Sequence, residues 1–460
     1  MIPFSLRCFK GGKYMKKLLE VIGISGLLLA MSSFPAMAAN YGWEQINNGK
    51  DWIWRGRDGY IVYDTWKTGA DGTWYYLGDD GVMDVNCLIE DDGDYYYVDE
   101  LGRMVKNQWR KLYSEDYGEE YWYYFRDNGK AYKGTGDKVS LKTIGDRKYI
   151  FDDEGRMQWG WVLESGNMID EDDTEGWKEA VYYCGSENEG WVSTGWKQIE
   201  VDYEDDSDDG YYLKDRWFYF GNSGKKTVDK DLRLKNADGK EYRYGFDKYG
   251  VMLSQTLVNV VTVNADGTTS TTTKYYDSKG TLNKAKWIER VPSRSQNADD
   301  YNNDIKRKFY SQKNGNLVKD EIRKINNKWY CFDSAGIMRV GLVAVKDGKY
   351  AYTLQNTNEY DDIWADASDL VKAKNDGYTI MLFDEKTGAR KTGKVTVELN
   401  DDKYTMRFLN SGEAADGEYQ GYLYEAGILL KADRDRDEKY QEFTVNGVVY
   451  KVDRNGRIQK

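Results

Sequence analysis

The sequence predicts an all-β protein of tandem β-hairpins stacked into a β-solenoid-like row, with little or no helix outside an N-terminal leader. Three observations predict this fold. A short aromatic strand followed by a glycine loop recurs along most of the chain. Aromatic residues make up 15% of the sequence, with 40 Tyr and 16 Trp, although the mean hydropathy is −0.81. No stretch free of the repeat is long enough to form a separate globular domain.

The repeat unit is clearest between residues 66 and 83. It consists of Trp66, the strand Trp74–Leu77, the loop glycine Gly81 and then Met83. The pattern returns directly at Tyr95–Val98. Further copies are centred on residues 122–125, 149–151, 217–220, 242–246, 275–276, 309–310 and 329–332, and looser ones on 381–383, 406–409 and 448–452.

Each copy is predicted to form a hairpin for local reasons. Runs of aromatic and β-branched residues favour strands, and the loop glycine supplies the positive φ of a G1 bulge. Strand alternation places Trp74 and Tyr76 on one face and Tyr75 and Leu77 on the other. An isolated hairpin is marginal in water, so the copies are expected to cover each other's aromatic faces as nearest neighbours.

The N-terminus has the pattern of an export signal. Lys16 and Lys17 form a basic start, Val21–Met31 an apolar core and Ala36–Ala38 a small-residue cleavage site. The apolar run is short for a membrane span, so no span is expected after cleavage. Met15 is the expected true start.

Four segments are predicted along the chain. Residues 1–38 are the signal peptide, and 39–225 hold the Trp-rich repeats. Divergent hairpin repeats follow at 226–340, and a C-terminal set of divergent hairpins occupies 341–460.

The charge balance excludes nucleic acid as an expected partner. Removing the leader takes away five basic residues and one acidic residue and leaves a formal net charge of −16. Phosphate backbones require basic surfaces, whereas an acidic protein favours a cationic ligand over an anionic one.

Catalysis is not expected. The chain contains no His, which excludes the usual serine and cysteine catalytic triads. Cys87, Cys184 and Cys331 are odd in number and widely spread, which does not indicate a disulfide framework. Cys184 and Cys331 are expected to act as small hydrophobic residues within strands, and Cys87 lies at a junction between repeat units. Residues 340–375 come closest to a non-repeat segment, but they are too short for an enzyme domain.

No metal or other cofactor is predicted. The run Asp433, Asp435 and Asp437 begins like a calcium loop. Glu438 replaces the glycine of the sharp turn, and no acidic residue falls at the twelfth position. A solvated run of charges is the favoured interpretation.

The repeats resemble the cell wall-binding repeat family, which includes choline-binding, glucan-binding and toxin-type repeats. The resemblance covers most of residues 41–460 and is strongest up to about residue 220. The residues that carry it are Trp66, Trp74-Tyr75-Tyr76, Asp80-Gly81, Met83, Gly160-Trp161 and Gly195-Trp196.

The resemblance implies ligand sites in the grooves between successive hairpins, formed by cages of aromatic side chains. One implied cage consists of Trp66 and Trp74 with Tyr97 and Met83. A cage of this kind attracts a quaternary ammonium with ~2 kcal/mol or more once it is desolvated, and its flat rings can instead stack on sugars. The remaining predicted ligand contacts are a second cage of Trp109, Trp122 and Tyr149, together with Tyr76, Trp161, Trp196 and Trp217.

The expected protein is secreted and non-catalytic, and it is associated with the surface or cell wall of a Gram-positive-type bacterium. Its expected partner is a cell-envelope polymer, either choline-substituted teichoic acid or polysaccharide, or an extracellular glycan. The alternative is an adhesin or self-assembling structural protein that contacts other proteins through its aromatic faces and sheet edges.

Overall fold

A computed structural model describes residues 41–114, 117–203, 213–236, 239–357, 361–435 and 438–459. The predicted signal peptide and Asp437 lie outside these ranges. The described chain is dominated by antiparallel hairpins, which confirms the predicted fold class. It divides into two compact units, the first ending at Lys230 but including Phe246–Met252, and the second made of Asp231–Gly245 and the chain from Leu253 onward. Within the described ranges, no helix has the length and apolar character needed to cross a membrane.

Short strands paired two by two make up the first unit, with 3₁₀ helices at Asn47–Gly49 and Gly176–Lys178. The strands are β1 (Gly42–Ile46), β2 (Asp51–Arg55), β3 (Thr65–Thr68), β4 (Trp74–Leu77), β5 (Cys87–Asp91), β6 (Asp94–Val98), β7 (Gln108–Ser114), β8 (Glu119–Phe125), β9 (Lys142–Ile144), β10 (Arg147–Tyr149), β11 (Trp161–Val162), β12 (Tyr182–Tyr183), β13 (Gly195–Asp202) and β14 (Leu213–Phe220).

The next hairpin, β15 with β16, has its ends in the first unit and residues 231–245 in the second. It is followed by further pairs and by helices α1 (Ala298–Asn302) and α2 (Ala367–Asn375). The strands are β15 (Lys230–Lys235), β16 (Glu241–Phe246), β17 (Thr256–Val263), β18 (Thr269–Tyr276), β19 (Lys286–Arg290), β20 (Arg307–Ser311), β21 (Glu321–Ile325), β22 (Lys328–Phe332), β23 (Met338–Arg339), β24 (Gly341–Lys346), β25 (Lys349–Gln355), β26 (Thr379–Phe383), β27 (Gly393–Leu399), β28 (Asp402–Phe408), β29 (Gly417–Tyr419), β30 (Tyr422–Glu425), β31 (Ile428–Leu429), β32 (Tyr440–Val445) and β33 (Val448–Asp453).

The hairpin of β5 and β6 shows how one repeat folds. The two strands are joined by a tight turn in which Asp92 and Gly93 both have positive φ, as a type I′ turn requires. After β6 the chain makes a second turn, where the Asp99 carboxylate accepts bonds from the backbone of Leu101 and Arg103. Gly102 closes this turn at φ 75°. The predicted glycine loop is therefore present, but the longer pairing of the aromatic strand is with the strand that precedes it.

After a glycine loop, the backbone forms hydrogen bonds both with its own hairpin and with the hairpin before it. Met104 forms a single β-bridge to Val98 of its own hairpin, and its backbone N–H donates to the carbonyl of Trp74 in the hairpin before. The same bond runs from Met157 to Trp122, at 2.8 Å in both places. Each hairpin of this part of the first unit is thus tied to its predecessor through backbone as well as side chains, as expected for nearest-neighbour stacking.

The core of the first unit is divided into small clusters between neighbouring hairpins. One combines Tyr76, Tyr96 and Val98, and the next combines Tyr97, Tyr123 and Phe125. The largest fully buried side chains of the described chain are mostly Phe and Tyr. The cysteines Cys87, Cys184 and Cys331 are all buried, and none of them forms a disulfide.

The C-terminal part of the second unit is more than a row of hairpins. A three-stranded sheet in the order β25-β24-β26 and a five-stranded sheet in the order β27-β28-β31-β30-β29 share one apolar core with helix α2. Asp366 and Asp369 cap the start of α2, where the Asp366 N–H donates to the Asp369 carboxylate at 2.9 Å. Leu370 and Ala373 turn inward from the helix and are fully buried.

The loop glycines are expected to differ in how well they tolerate replacement by alanine, because the added Cβ has different neighbouring atoms at each position. Gly93 and Gly129 both have positive φ, at 74° and 85°, so a side chain at either costs about 1–2 kcal/mol of backbone strain. A Cβ on Gly93 meets open space, whereas one on Gly129 would collide with the Met104 sulfur. Gly129→Ala should therefore destabilise the protein by at least about 1 kcal/mol more than Gly93→Ala in urea unfolding. Equal losses would show that the approach of Met104 is not a constraint.

Candidate functional site

One arrangement of aromatic side chains recurs between consecutive hairpins, and we call it a cage. An inner residue lies on the first strand of a hairpin. An aromatic residue on the second strand is paired with it, and we call this the paired residue. The outer residue lies on the same second strand, two positions before the paired residue. The cage is completed by an aromatic residue of the next hairpin and by the side chain two positions after that hairpin's loop glycine. We name each cage after its inner tryptophan.

The Trp109 cage encloses an open cavity of about 220 Å³. The ring of Trp109 lies 6.3 Å from that of outer Trp122 at 86°, and 4.9 Å from that of Tyr149 at 61°, measured between centroids. The three residues predicted from the sequence as one site are thus brought together. The cavity is lined by Trp109, Trp122, Tyr149, Met157, Asn188, Glu189 and Trp191.

Strand register explains why these side chains meet. Across the hairpin of β7 and β8, Trp109 is paired with Tyr124 and Lys111 with Trp122. Because side chains alternate along a strand, Trp122 and Tyr124 project to the same face as Trp109. The bond from the Met157 N–H to the Trp122 carbonyl then places the Met157 side chain against this face.

A polar loop forms one side of the cavity mouth. Glu187 makes an ion pair of 2.7 Å with Lys111 and thereby ties the loop to the β7–β8 hairpin. Two residues on, the exposed Glu189 carboxylate accepts a bond from the Ser186 backbone and lines the cavity. The mouth therefore combines aromatic rings with a carboxylate, which is the electrostatic environment that favours a cation.

Two further features refine what the cavity can hold. The guanidinium of Arg147 lies 3.6 Å from the ring centroid of Trp191, so the chain itself already covers one face of that indole. The Nε1 of Trp122 is buried and has no hydrogen-bond partner among the described residues. A ligand oxygen is one group that can accept from such a donor.

The Trp66 cage contains three of the predicted ligand residues. Inner Trp66 lies 5.0 Å from paired Tyr76 and 5.1 Å from Tyr96 of the next hairpin, and Trp74 is the outer residue, 39% exposed. The Trp66 Nε1 donates to the Asp91 carboxylate at 3.0 Å. Burial, together with nearby carboxylates, raises the pKa of Tyr76 to about 12, so its hydroxyl stays neutral.

Tyr97 and Met83 do not belong to the Trp66 cage, contrary to the prediction. Tyr97 alternates with Tyr96 along β6 and faces the other side, where its ring packs 6.0 Å from that of Phe125. Met83 is tied by its N–H to the Trp52 carbonyl of the hairpin before, at 2.7 Å. Met104 holds the corresponding place for the Trp66 cage, because the residue after the glycine serves the preceding hairpin.

The same rule identifies a cage that the sequence prediction missed. Trp43 is paired with Trp54 and lies 5.4 Å from it, with Trp52 as the outer residue. Tyr75 of the next hairpin lies 5.4 Å from Trp43, and Met83 takes the position after the glycine. The spacing Gly-x-Met, read as a contact to the preceding hairpin, would have found it.

The Trp161 cage is filled by the protein's own lysine. Lys226 takes the position of the cage methionine, and its N–H donates to Val181 of the hairpin before. Its ammonium lies 5.2 Å from the ring centroid of Trp161 and 5.8 Å from that of Trp177, and it donates to the Trp177 carbonyl at 2.7 Å. With Lys226 only 8% exposed, this cage already contains a cation.

The predicted residues Trp196 and Trp217 lie together in a further cage of the first unit, the Trp196 cage. Inner Trp196 lies 5.3 Å from paired Tyr219, 6.2 Å from outer Trp217 and 5.7 Å from Phe246. The Met252 N–H donates to the Trp217 carbonyl, as in the other cages. Trp217 is 41% exposed, in keeping with its outer position.

Nucleophile and metal chemistry find little support in the described part of the chain. Burial raises the pKa of Cys331 to about 12 and that of Cys184 still further, which keeps both thiols protonated. The described residues contain no group of three or more acidic, His or Cys side chains arranged to hold a metal ion.

Comparison with known proteins gives the following similarities. Residues 64–83 and 323–338 match a family model described as a cell wall binding repeat, and the first match contains Trp66, Trp74 and Tyr76. Glucosyltransferase-S of Streptococcus mutans is 25% identical over 226 residues, which cover 44% of this chain but only 14% of that enzyme.

Two solved structures from Streptococcus pneumoniae are similar at lower identity. Choline binding protein F is 19% identical, with 85% of this chain and 98% of that chain covered and a TM-score of 0.32. The modular autolysin LytC, in complex with a synthetic peptidoglycan ligand, is 16% identical, with 66% and 54% covered and a TM-score of 0.35.

The buried ammonium of Lys226 predicts a pH-dependent stability. Burial lowers its pKa to about 8, while the Asp247 carboxylate acts in the opposite direction. When the pKa of a lysine is lower in the folded state than in the unfolded state, folding becomes more favourable as the pH rises from the folded-state pKa to the unfolded-state pKa. Between pH 7.5 and 9.5, the wild type should therefore gain about 2 kcal/mol of unfolding free energy relative to Lys226→Met, measured by urea unfolding. A difference independent of pH would mean that the two indoles and the carbonyls hold the charged form.

Proposed function

Because the chain contains repeats of the cell wall-binding type, we propose that it binds a polymer of the bacterial cell envelope through the aromatic cages of its first unit. The proposed ligand group is a quaternary ammonium, such as the choline carried by a teichoic acid or polysaccharide. The protein is proposed to be secreted, associated with the surface or wall of a Gram-positive-type bacterium, and without catalytic activity.

The observation that carries the proposal is the Trp109 cage. Trp109, Trp122 and Tyr149 surround a cavity whose mouth contains the Glu189 carboxylate. A cation held between such rings gains ~2 kcal/mol or more when it loses water, and a quaternary ammonium loses water more easily than a lysine does. The position of Lys226 in the Trp161 cage supports this reading, because the chain itself places an ammonium between the indoles of a related cage.

Several cages in one unit suit a repetitive polymer. The Trp43, Trp66, Trp109 and Trp196 cages each retain an outer tryptophan, and Lys226 lies in none of these four. A modest affinity per cage becomes strong retention when ligand groups follow one another along a chain, because the later contacts form at high effective concentration.

A neutral glycan is the second candidate ligand of the Trp109 cage. The buried Trp122 N–H offers a donor that a quaternary ammonium cannot use but a sugar hydroxyl can. The similarity to part of a glucosyltransferase is consistent with this alternative.

Removing the outer tryptophans should abolish binding without removing the core. We expect Trp52→Ala/Trp74→Ala/Trp122→Ala/Trp217→Ala to lose retention on choline-substituted resin, whereas the wild type is retained and eluted by free choline. In titrations with choline, Trp122→Ala alone should remove one binding site from each chain. The outer positions are suited to this test because Trp52, Trp74 and Trp217 are 37–41% exposed.

Trp329→Ala provides the matched control. Trp329 is 37% exposed, like Trp52, but it lies outside the cages and stacks on Arg390. This variant should bind choline as the wild type does. A second variant, Glu189→Gln, removes the carboxylate at the cavity mouth. It should weaken choline binding several-fold and leave any neutral-sugar binding intact. Retention that is unchanged in the variant lacking all four outer tryptophans, or equally reduced by Trp329→Ala, would rule out the cages as the choline site.

A further inference from the structure

A second open cavity, in the second unit, has the same frame as the Trp109 cage but different chemistry. Its volume is about 320 Å³, compared with about 220 Å³ at Trp109. It lies between the hairpin of β19 and β20 and the hairpin of β21 and β22, in a segment whose sequence predicts divergent repeats. The residues that line it are Trp287, Ile288, Glu289, Lys308, Tyr330, Met338 and Thr387.

Ring geometry establishes that the two frames correspond. Trp287 lies 4.9 Å from Tyr330 at 69° and stacks on Phe332 at 6.0 Å and 26°. In the first unit, Trp109 lies 4.9 Å from Tyr149 at 61° and stacks on Phe151 at 5.9 Å and 24°.

Strand register and the glycine beside each methionine give the same correspondence. Trp287 is paired with Tyr310, as Trp109 is with Tyr124. Met338 lies against Gly388 and Met157 against Gly190, and in both places a Cβ on the glycine would collide with the methionine sulfur. The two cavities therefore have the same arrangement of rings, and their lining residues can be compared position by position.

Two side chains that favour a cation at Trp109 are replaced. The outer position, Trp122 in the first unit, is Lys308, since it is paired with Glu289 as Trp122 is with Lys111. The residue before the glycine that lies against the methionine, Glu189 in the first unit, is Thr387. The pocket thus loses an aromatic wall, has the carboxylate of Glu289 in place of that of Glu189, and gains the ammonium of Lys308.

The remaining groups match a different ligand. Trp287 is 37% exposed and offers a flat indole on which the C–H face of a sugar ring can stack. Lys308 is a hydrogen-bond donor, Glu289 an acceptor and Thr387 both, so together they can satisfy several hydroxyl groups. Glu289 and Lys308 face each other across the hairpin, and their opposite charges offset at the mouth.

We propose that the Trp287 pocket is a second binding site whose ligand is an uncharged pyranose unit of a glycan, and that Lys308 excludes a quaternary ammonium from it. This inference concerns a different pocket from the proposed choline site and stands independently of it. A chain with both kinds of site would contact the sugars and the cationic substituents of an envelope polymer through different units.

Calorimetric titration of the full-length protein tests this proposal, with maltotetraose, isomaltotetraose and chitotetraose as neutral probes and choline chloride as the cationic probe. At least one tetrasaccharide should bind, and Trp287→Ala should weaken that binding tenfold or more with choline binding unchanged. Lys308→Trp should reduce the sugar affinity and add one choline site per chain, because it restores the missing aromatic wall. Trp329→Ala should leave both ligands unaffected.

Each contrary result has a defined meaning. Absence of tetrasaccharide binding, or binding that persists in both Trp287→Ala and Lys308→Trp, would overturn the sugar site while leaving the choline proposal in place. Loss of choline binding in Trp287→Ala would overturn the exclusion by Lys308. Sugar binding that depends on Trp287, in a protein that does not bind choline at all, would support this pocket and refute the proposed function of the first unit.

Discussion

The structure of the first unit depends on one backbone hydrogen bond that is repeated between hairpins. The residue two positions after a loop glycine donates its N–H to a carbonyl on the second strand of the hairpin before, as Met104 does to Trp74 and Met157 to Trp122. The bond is possible because the glycine adopts a positive φ, which turns the chain back at once. It sets the spacing of neighbouring hairpins and delivers a side chain into the groove between them. Stacking and cage formation are therefore consequences of the same contact.

Since the backbone frame is constant, the content of each cage is decided by two positions. The position after the glycine holds Met in the Trp109 cage, where it lines the cavity, and Lys226 in the Trp161 cage, where the ammonium fills the space between indoles. The outer position holds Trp122 in one open cavity and Lys308 in the other. A cation cage and a polar pocket can thus differ at only a few side chains while the hairpin frame around them stays the same.

The sequence was sufficient to predict the hairpins and part of the site, because both depend on local patterns. Aromatic alternation and positive-φ glycines identify the repeat, and the trio Trp109, Trp122 and Tyr149 follows from consecutive copies. The assignment of Tyr97 and Met83 failed because it required the register between hairpins. A shift of one residue along a strand moves a side chain to the opposite face, and the spacing of glycines does not reveal which neighbour a loop contacts.

Other features had no local signal strong enough to predict them. Trp287 lies in a divergent region, and only the ring geometry around it shows the cage frame. From the sequence alone, Lys226 would be placed at the surface. It is buried because Trp177, which belongs to a separate turn, packs over it. Helix α2 has a capping signal in its sequence, but the apolar core on which it packs is assembled from two sheets that lie on both sides of it in the chain.

The division between inner and outer aromatic residues explains how one set of rings can serve both stability and binding. Inner residues such as Trp109 contact three or more other rings, and they form part of the core between neighbouring hairpins. Outer residues such as Trp52, Trp74 and Trp217 remain 37–41% exposed, so the chain leaves apolar area uncovered at the mouth of each cage. An uncovered indole contributes little to folding, but it retains its full attraction for a ligand that arrives from solution. The outer ring is consequently the part of the repeat that is free to change with the ligand, and the replacement of Trp122 by Lys308 in the second unit occurs at that position.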